Sequence, residues 1–323
     1  MKTLRLLALA AIVCQLFGAR AAAQEKKLHL AVIPKGTTHE FWKSIHAGAA
    51  KAAQELGVEI TWQGPQKEDD RDMQIKVVQS FISRGVDGIV LAPLDDTALV
   101  RPAEEAVKRG IKIVIIDSDI KTGQYSSFIA TDNYKGGVLG AERLGEIMGG
   151  KGKALLMRYA EGSASTMNRE KGFLDTMKAK FPGIELVSTN QYGGVTAESS
   201  FQKGQDLLNK FGDVEGIYCP NESTTFGMLR ALQTAGKAGK VKFVGFDSSE
   251  ALIKAIRAGE LNGVTIQNPF NMGYLGVKTA VAAIKGEKVE KRIDTGAKMV
   301  TKDNIDDPEI KEIMSPDLEK WLK

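Results

Sequence analysis

The sequence predicts an α/β protein made of two similar lobes, each with a doubly wound parallel sheet. Short runs rich in Val and Ile, such as 28–34 and 111–117, alternate with longer segments whose apolar residues recur at helical spacing, such as 41–56 and 69–84. Continuous apolar runs are typical of strands buried on both faces, and the repeated strand–helix order predicts a parallel sheet covered by helices. An internal repeat, described next, supplies the second lobe.

Three short motifs occur twice in the same order, at a nearly constant offset of about 130 residues, far beyond the roughly 20–50-residue period of a solenoid. The pairs are 57–60 (GVEI) with 183–186 (GIEL), 86–90 (VDGIV) with 214–218 (VEGIY), and 111–118 (IKIVIIDS) with 241–248 (VKFVGFDS). We therefore expect a duplicated α/β unit, and hence two lobes of similar architecture.

The first residues have the pattern of a secretory signal peptide. Lys2 and Arg5 precede an apolar run over 6–17, and three alanines at 21–23 form a small-residue cleavage site. The run is too short to span a bilayer, which requires about 20 apolar residues. We expect residues 1–23 to be removed on export to the periplasm; the alternative interpretation is a buried N-terminal helix.

Charge and cysteine content exclude several classes of partner and structure. Removing the predicted signal peptide takes away three cations and no anions, so the formal charge falls from +4 to +1. No basic excess remains to favour nucleic acid or an anionic membrane surface. Only Cys219 of the two cysteines survives, so no intramolecular disulfide is expected.

Polar side chains directly follow predicted strands at matching places in the two repeats. Asp117 and Asp247 end the repeated motifs, and Asn221 follows the run at 217–219. Ligands of open parallel sheets bind beyond the carboxyl ends of the strands, so these groups are expected to face one cleft. Carboxylates and amides suit a polyhydroxylated ligand because they accept hydrogen bonds from hydroxyl groups. The alternative for each is a turn or helix N-cap role.

An aromatic pair, Phe41 and Trp42, opens the first predicted helix. A ring in the cleft can stack on the C–H face of a sugar, whereas a ring on the inner helix face packs in the core. Adjacent helical residues point about 100° apart, so we expect at least one ring to face the ligand.

A series of short motifs runs across 28–296. The motifs are AVIP at 31–34, FW at 41–42, Asp117, ATDN at 130–133, GG at 136–137, REKGF at 169–173, NE at 221–222, GFD at 245–247 and TIQ at 265–267. Their order and spacing resemble those of the periplasmic sugar-binding proteins of ABC transporters. The similarity is to the ribose/galactose/xylose type (type I periplasmic binding proteins), near the rhamnose- and autoinducer-binding branch. The sequence departs from the ribose binders at three positions. Ser118 and Asp119 follow the strand-end Asp, where ribose binders have Arg, and Met167 replaces an Arg two residues before Arg169. Ribose itself is therefore not the expected ligand.

The resemblance implies two lobes joined by three hinge crossings. The N-terminal lobe would comprise 24–131 and 268–292, and the C-terminal lobe and tail 132–267 and 293–323. The crossings are expected near 131–133, 263–267 and 293–296, with hinge residues Thr131, Asp132, Asn133, Val264, Thr265, Ile293 and Asp294.

The resemblance, together with the strand-end pattern, also implies a set of ligand-binding residues. They are Lys35, His39, Phe41, Trp42, Asp117, Ser118, Asp119, Arg169, Asn221, Asp247 and Gln267. For Lys35 the sequence leaves two interpretations open, a ligand contact or a solvated loop cation.

The function that the resemblance implies is capture of a monosaccharide or similar polyhydroxylated molecule, and its delivery to an ABC permease in the membrane. The alternative is a periplasmic chemosensory receptor of the same fold. We expect a monomer that is not an enzyme and that uses no cofactor or metal. The segment 145–151 lacks the Ser or Thr of a phosphate loop, and His39-Glu40 lacks the second histidine of a zinc-protease motif.

Overall fold

The computed structural model describes residues 27–322. The predicted signal peptide therefore lies outside the described residues. No helix within 27–322 combines the length and the apolar character that a membrane span requires.

The first lobe is built around a six-stranded sheet in the order β11-β5-β4-β3-β1-β2, in which every neighbouring pair is parallel. Two of its elements, α9 and β11, come from late in the chain. The elements are β1 (His29–Ile33), α1 (Glu40–Leu56), β2 (Glu59–Trp62), α2 (Arg71–Arg84), β3 (Gly88–Leu91), α3 (Val100–Lys108), β4 (Lys112–Ile116), β5 (Ser127–Ala130), α9 (Pro269–Ile284) and β11 (Arg292–Asp294).

The second lobe repeats this plan around a sheet in the order β12-β10-β9-β8-β6-β7, parallel except for the antiparallel pair of β10 and β12. Its elements are α4 (Asn133–Ile147), β6 (Gly152–Arg158), α5 (Ala164–Lys180), β7 (Ile184–Tyr192), α6 (Ala197–Lys210), β8 (Gly216–Tyr218), α7 (Glu222–Thr234), β9 (Lys242–Phe246), α8 (Glu250–Ala258), β10 (Gly263–Ile266), β12 (Lys298–Val300) and α10 (Pro308–Met314). The predicted fold class is thus confirmed.

Each sheet is buried on both faces, which explains the continuous apolar runs of its strands. In β1, Leu30 and Val32 pack in one core cluster with α1 and α9, while Ala31 and Ile33 pack in another with α2 and α3. Successive residues of a strand point to opposite faces, so a strand covered by helices on both sides needs apolar residues throughout.

The two lobes are equivalent down to single backbone angles at the predicted ligand site. Asp117 follows β4 with φ 61°, and Asp247 follows β9 with φ 68°; they are the non-glycine residues of 27–322 with positive φ. Asp tolerates this left-handed region better than most residues. In each case the backbone N–H donates to the neighbouring strand, to Ile129 O at 3.0 Å or to Thr265 O at 2.9 Å.

The three crossings fall between strand ends and the next element. Thr131 and Asp132 connect β5 to α4, whose first residue is Asn133, and 295–297 connect β11 to β12. The second crossing begins later than expected, at 267–268, because Val264 and Thr265 pair with β9 inside β10.

The third crossing also begins later than the sequence-based boundary. Ile293 and Asp294 belong to the sheet of the first lobe and not to the second lobe, since they pair with Ile129 and Ala130 of β5.

Candidate functional site

A cavity lies between the lobes, where the carboxyl ends of the two sheets face each other. Its volume is about 30 Å³, which exceeds the roughly 10–15 Å³ that a single water molecule requires. It is lined by Lys35, His39, Phe41, Trp42, Glu68, Asp117, Tyr159, Ser163, Ser165, Thr166, Arg169, Asn221, Glu222, Asp247 and Gln267.

On the first lobe, the central pair of the cavity is Lys35 and Asp117. The Lys35 Nζ lies 2.9 Å from Asp117 Oδ2 and donates across the cleft to Ser165 Oγ at 2.9 Å and Ser163 Oγ at 3.3 Å. Lys35 is 3 % exposed, so it is not a solvated loop cation. Its ammonium instead joins the strand-end carboxylate of one lobe to hydroxyl groups of the other.

On the second lobe, Asp247 occupies the equivalent place. Its carboxylate accepts from Gln267 Nε2 at 2.7 Å and from the backbone N–H of Glu222 at 2.9 Å, and Arg169 Nη1 lies 3.9 Å away. Burial raises the pKa of Asp247, and the Arg169 guanidinium and these hydrogen bonds oppose that rise only in part.

Arg169 is held by neutral partners as well as by Asp247. Its Nε donates to Asn133 Oδ1 at 2.8 Å, its Nη1 donates to Pro220 O at 3.0 Å, and its guanidinium lies 3.9 Å from the centre of the Phe246 ring. These contacts fix the planar group at the floor of the cavity.

His39 and Glu68 form a buried ion pair beside the aromatic residues. Glu68 also accepts from the Trp42 indole at 2.8 Å and, from the other lobe, from the Tyr159 hydroxyl at 2.7 Å. Burial lowers the pKa of His39, but the Glu68 carboxylate outweighs that effect and raises it to about 9. Burial likewise raises the pKa of Glu68, yet His39, with help from Lys35 and Trp42, lowers it to about 2.

Phe41 and Trp42 both line the cavity and both contribute to the core. Their rings meet edge to face, with centroids 4.9 Å apart and planes at 86°. The Trp42 ring is oriented by its hydrogen bond to Glu68, whereas the Phe41 ring has only apolar atoms.

Asn221 caps a helix and also lines the cavity. Its Oδ1 accepts from the Thr224 N–H at 3.3 Å, in a capping box that begins α7, and its Nδ2 donates to Ser223 Oγ at 3.2 Å. The same side chain lines the cavity. The capping alternative is therefore observed, and ligand contact remains a prediction.

Buried acceptors in the cavity are available to a ligand. Within residues 27–322, Gln267 Oε1 has no hydrogen-bond partner, and Asp117 Oδ2 contacts only the Lys35 ammonium. A buried acceptor without a donor costs about 1–3 kcal/mol, so a molecule that brings hydroxyl donors gains by satisfying it.

Direct contacts between the lobes show that the cleft is closed. Ser165 N donates to Ser118 Oγ at 3.0 Å, and Asp96 N donates to Gly162 O at 3.0 Å. The contacts between the lobes cover the cavity in this arrangement, so we expect the lobes to separate when a ligand enters or leaves.

Nine of the eleven predicted ligand residues line the cavity. Ser118 lies beside it, in the contact between lobes. Asp119 lies outside, because its carboxylate turns back to accept from the Ile120 N–H at 2.8 Å.

Sequence reasoning missed six cavity residues. They are Glu68, Tyr159, Ser163, Ser165, Thr166 and Glu222. Two of them carried a signal: Glu222 directly follows the strand-end residue Asn221 at the start of α7, and Tyr159 directly follows β6.

Comparison with known proteins agrees with this geometry. The model of the periplasmic binding protein domain matches residues 30–288. The D-allose-binding periplasmic protein of Escherichia coli K12 is 30% identical over 267 residues, which cover 80% of this chain and 85% of that protein.

Two solved structures are similar over nearly their whole length. A carbohydrate transporter solute-binding protein from Agrobacterium radiobacter, in complex with D-arabinose, has a TM-score of 0.88 and 33% identity, covering 90% of this chain and 100% of that one. An ABC transporter solute-binding protein from Agrobacterium vitis, with bound D-fucose, has a TM-score of 0.86 and 37% identity, covering 88% and 99%. From the shared fold, the equivalent strand-end site and these matches, we conclude that the chain belongs to the periplasmic binding protein family.

Proposed function

We propose that this protein captures a monosaccharide, or a similar small polyhydroxylated molecule, between its lobes for an ABC sugar transporter. The observation that supports this most directly is the pair of carboxylates, Asp117 and Asp247, at equivalent strand ends in one cavity. Charged acceptors make the stronger hydrogen bonds to hydroxyl groups. Phe41 supplies an apolar surface for the C–H face of a sugar ring.

The ligands of related proteins support a neutral sugar. The names of the similar proteins give D-allose, D-arabinose and D-fucose, which share hydroxyl groups and a C–H face but differ in stereochemistry. Because the names of the two solved structures also describe transporter components, we favour delivery to a membrane permease over signalling. Action as a monomer in the periplasm, with a permease as the partner and without catalysis, belongs to the same proposal.

A thermal-shift screen of the mature chain, starting at Gln24, tests the proposal. The panel comprises D-allose, D-ribose, D-arabinose, D-fucose, D-xylose and L-rhamnose. A single-site ligand at about 100 times its Kd stabilises the folded protein by about 2.7 kcal/mol, which is a measurable rise in Tm. The proposal predicts that at least one neutral sugar gives this shift.

Three aspartate variants identify the site. In Asp117→Asn and Asp247→Asn, the new residue still tolerates positive φ but loses the charge, so we expect the affinity for the best sugar to fall about tenfold to a hundredfold. Asp119→Asn is the matched control, because its side chain lies outside the cavity, and it should bind like the wild type. Full affinity in both of the first two variants would contradict the proposed site.

A further inference from the structure

The cavity contains one more acid than it has cations to balance. Its lining holds four acids, Glu68, Asp117, Glu222 and Asp247, and three groups that carry positive charge, Lys35, His39 and Arg169. Lys35 pairs with Asp117, His39 pairs with Glu68, and Arg169 lies nearest to Asp247. Within residues 27–322, Glu222 forms no ion pair, and it is the remaining charge.

Glu222 lies at the contact between the lobes. It is the first residue of α7 in the second lobe, and its Oε1 and Oε2 accept from the backbone N–H groups of Glu40 and Phe41, each at 3.2 Å, at the start of α1 in the first lobe. The N-cap residue of α1, His39, makes no side-chain capping bond of its own. The Glu222 carboxyl group therefore meets α1 only when the lobes are closed.

These hydrogen bonds compensate only in part for the loss of water around the half-buried Glu222 carboxylate. Charge-assisted bonds to a carboxylate are typically about 2.7–2.9 Å long, and both bonds here are longer. A carboxylate that leaves water without a counter-cation tends to take up a proton instead. When the lobes separate, the same side chain returns to water and can ionise freely.

We propose that closure of the lobes around a neutral sugar is coupled to the uptake of one proton from solvent by the Glu222 carboxylate. This inference rests on the proposed function, because the sugar is what holds the lobes closed. The carboxylate becomes a neutral carboxyl group, and the proton returns to solvent when the lobes open and release the sugar.

The electrostatic surroundings of Glu222 support this direction. Burial raises the pKa of Glu222 to about 7, with Asp247 adding to the rise and His39 and the two α1 N–H groups opposing it. The other charged groups lining the cavity are Lys35, Glu68, Asp117 and Arg169, and Glu40 is exposed at the start of α1. An open-state value near the usual 4.3 means that the closed form binds the proton more tightly, so closure is favoured as the pH falls through 7.

Titration calorimetry with the tightest-binding neutral sugar of the panel tests the inference. At about pH 6, measured in two buffers of different ionisation enthalpy, the wild type should take up most of one proton per sugar bound, and its Kd should weaken up to about tenfold between about pH 6 and pH 8. Glu222→Gln should bind sugar without this uptake and with a Kd that varies little with pH. Glu198→Gln is the matched control, since Glu198 is an exposed acid in the first turn of α6, and it should behave like the wild type.

The outcomes separate this inference from the proposed function. Sugar binding without proton uptake in the wild type, or undiminished uptake in Glu222→Gln, would overturn the coupling while leaving sugar capture intact. Failure of every sugar to bind would instead contradict the proposed function.

In that case, a spin-label distance measurement tests the coupling without sugar. Labels attached through Gln79→Cys on α2 and Asp206→Cys on α6 occupy exposed sites, one on each lobe, and Cys219 is buried. The closed fraction should be larger at about pH 5.5 than at about pH 8, and Glu222→Gln should remove the difference. An equal closed fraction at both pH values in the wild type would refute the inference.

Discussion

At the scale of single residues, the buried pair of His39 and Glu68 makes stability depend on pH. The folded-state pKa of His39 is about 9, above the unfolded value of about 6.5, so the native state holds this proton more tightly. The resulting stability is fully present below pH 6.5 and is lost as the pH rises through 9. It amounts to at most about 3 kcal/mol, at about 1.36 kcal/mol for each pH unit.

Glu68→Gln should lower the free energy of unfolding at pH 7 and flatten its decline between pH 7 and 9. Chemical denaturation of the wild type and the variant at the two pH values measures both effects. Asp69→Asn, at the exposed neighbouring residue, should leave the wild-type decline in place. The same decline in Glu68→Gln would mean that another group carries the dependence.

Site residues at strand ends could be predicted from the sequence, whereas contacts formed across the cleft could not. Asp117 and Asp247 could be predicted because the end of a parallel strand is visible in the sequence, and such ends share one edge of the sheet. Glu68 comes from a loop and Tyr159 directly follows β6, and they meet only because the lobes close against each other. No local pattern specifies a contact of that kind, so the sequence does not predict the pairing of these two residues.

At the scale of elements, the helix that follows a crossing between the lobes packs, through glycines, against the helix after the first strand of its lobe. The two pairs are α4 with α5 and α9 with α1. A Cβ at Gly137 of α4 would lie 1.9 Å from Arg169 O of α5, and a Cβ at Gly48 of α1 would lie 1.9 Å from Phe270 O of α9. Contacts this close leave no room for a methyl group, so the helix pairs must separate to accept one.

Gly137→Ala should destabilise the protein by about 1–3 kcal/mol, the usual cost of overpacking, and should also weaken sugar binding because it displaces Arg169. Thermal unfolding and calorimetry measure the two effects. Lys135→Ala, on the exposed side of the same helix, should change neither by much. Wild-type stability in Gly137→Ala would show that the helices adjust without cost.

The ends of α1 and α2 can be predicted from the sequence, whereas the end of β10 cannot. Gly57 and Gly85 follow α1 and α2 with φ of 66° and 64°, and their N–H groups bond to the last helical carbonyls, as expected of C-terminal caps. The end of β10 depends instead on its pairing with β9 and β12. No residue type marks that pairing, and the crossing that the resemblance implies at Val264 and Thr265 falls inside the strand.

At the scale of the whole molecule, the internal repeat predicts two lobes but not their separation. The offset motifs correspond to the two sheets because each copy encodes the same alternation of strands and helices. The degree of closure depends on contacts between residues distant in the chain, such as Ser118 with Ser165 and Lys35 with Ser163. The balance between open and closed forms is therefore a property of the assembled molecule and of its ligand.

A disulfide across the cleft tests whether a sugar must bind through the open form. Ser118 Oγ lies 3.0 Å from Ser165 N, and both residues are at most 2% exposed. Covalent geometry then limits the distance between their Cα atoms to about 7 Å, close to the range of about 4.4–6.8 Å that a disulfide spans. Oxidised Ser118→Cys/Ser165→Cys protein should hold the cleft closed around a cavity of about 30 Å³ and bind no sugar. Reduction should restore binding, as measured by calorimetry, and the two single variants should bind under both conditions. Sugar binding by the oxidised double variant at the wild-type rate would show that the ligand reaches the site without separation of the lobes.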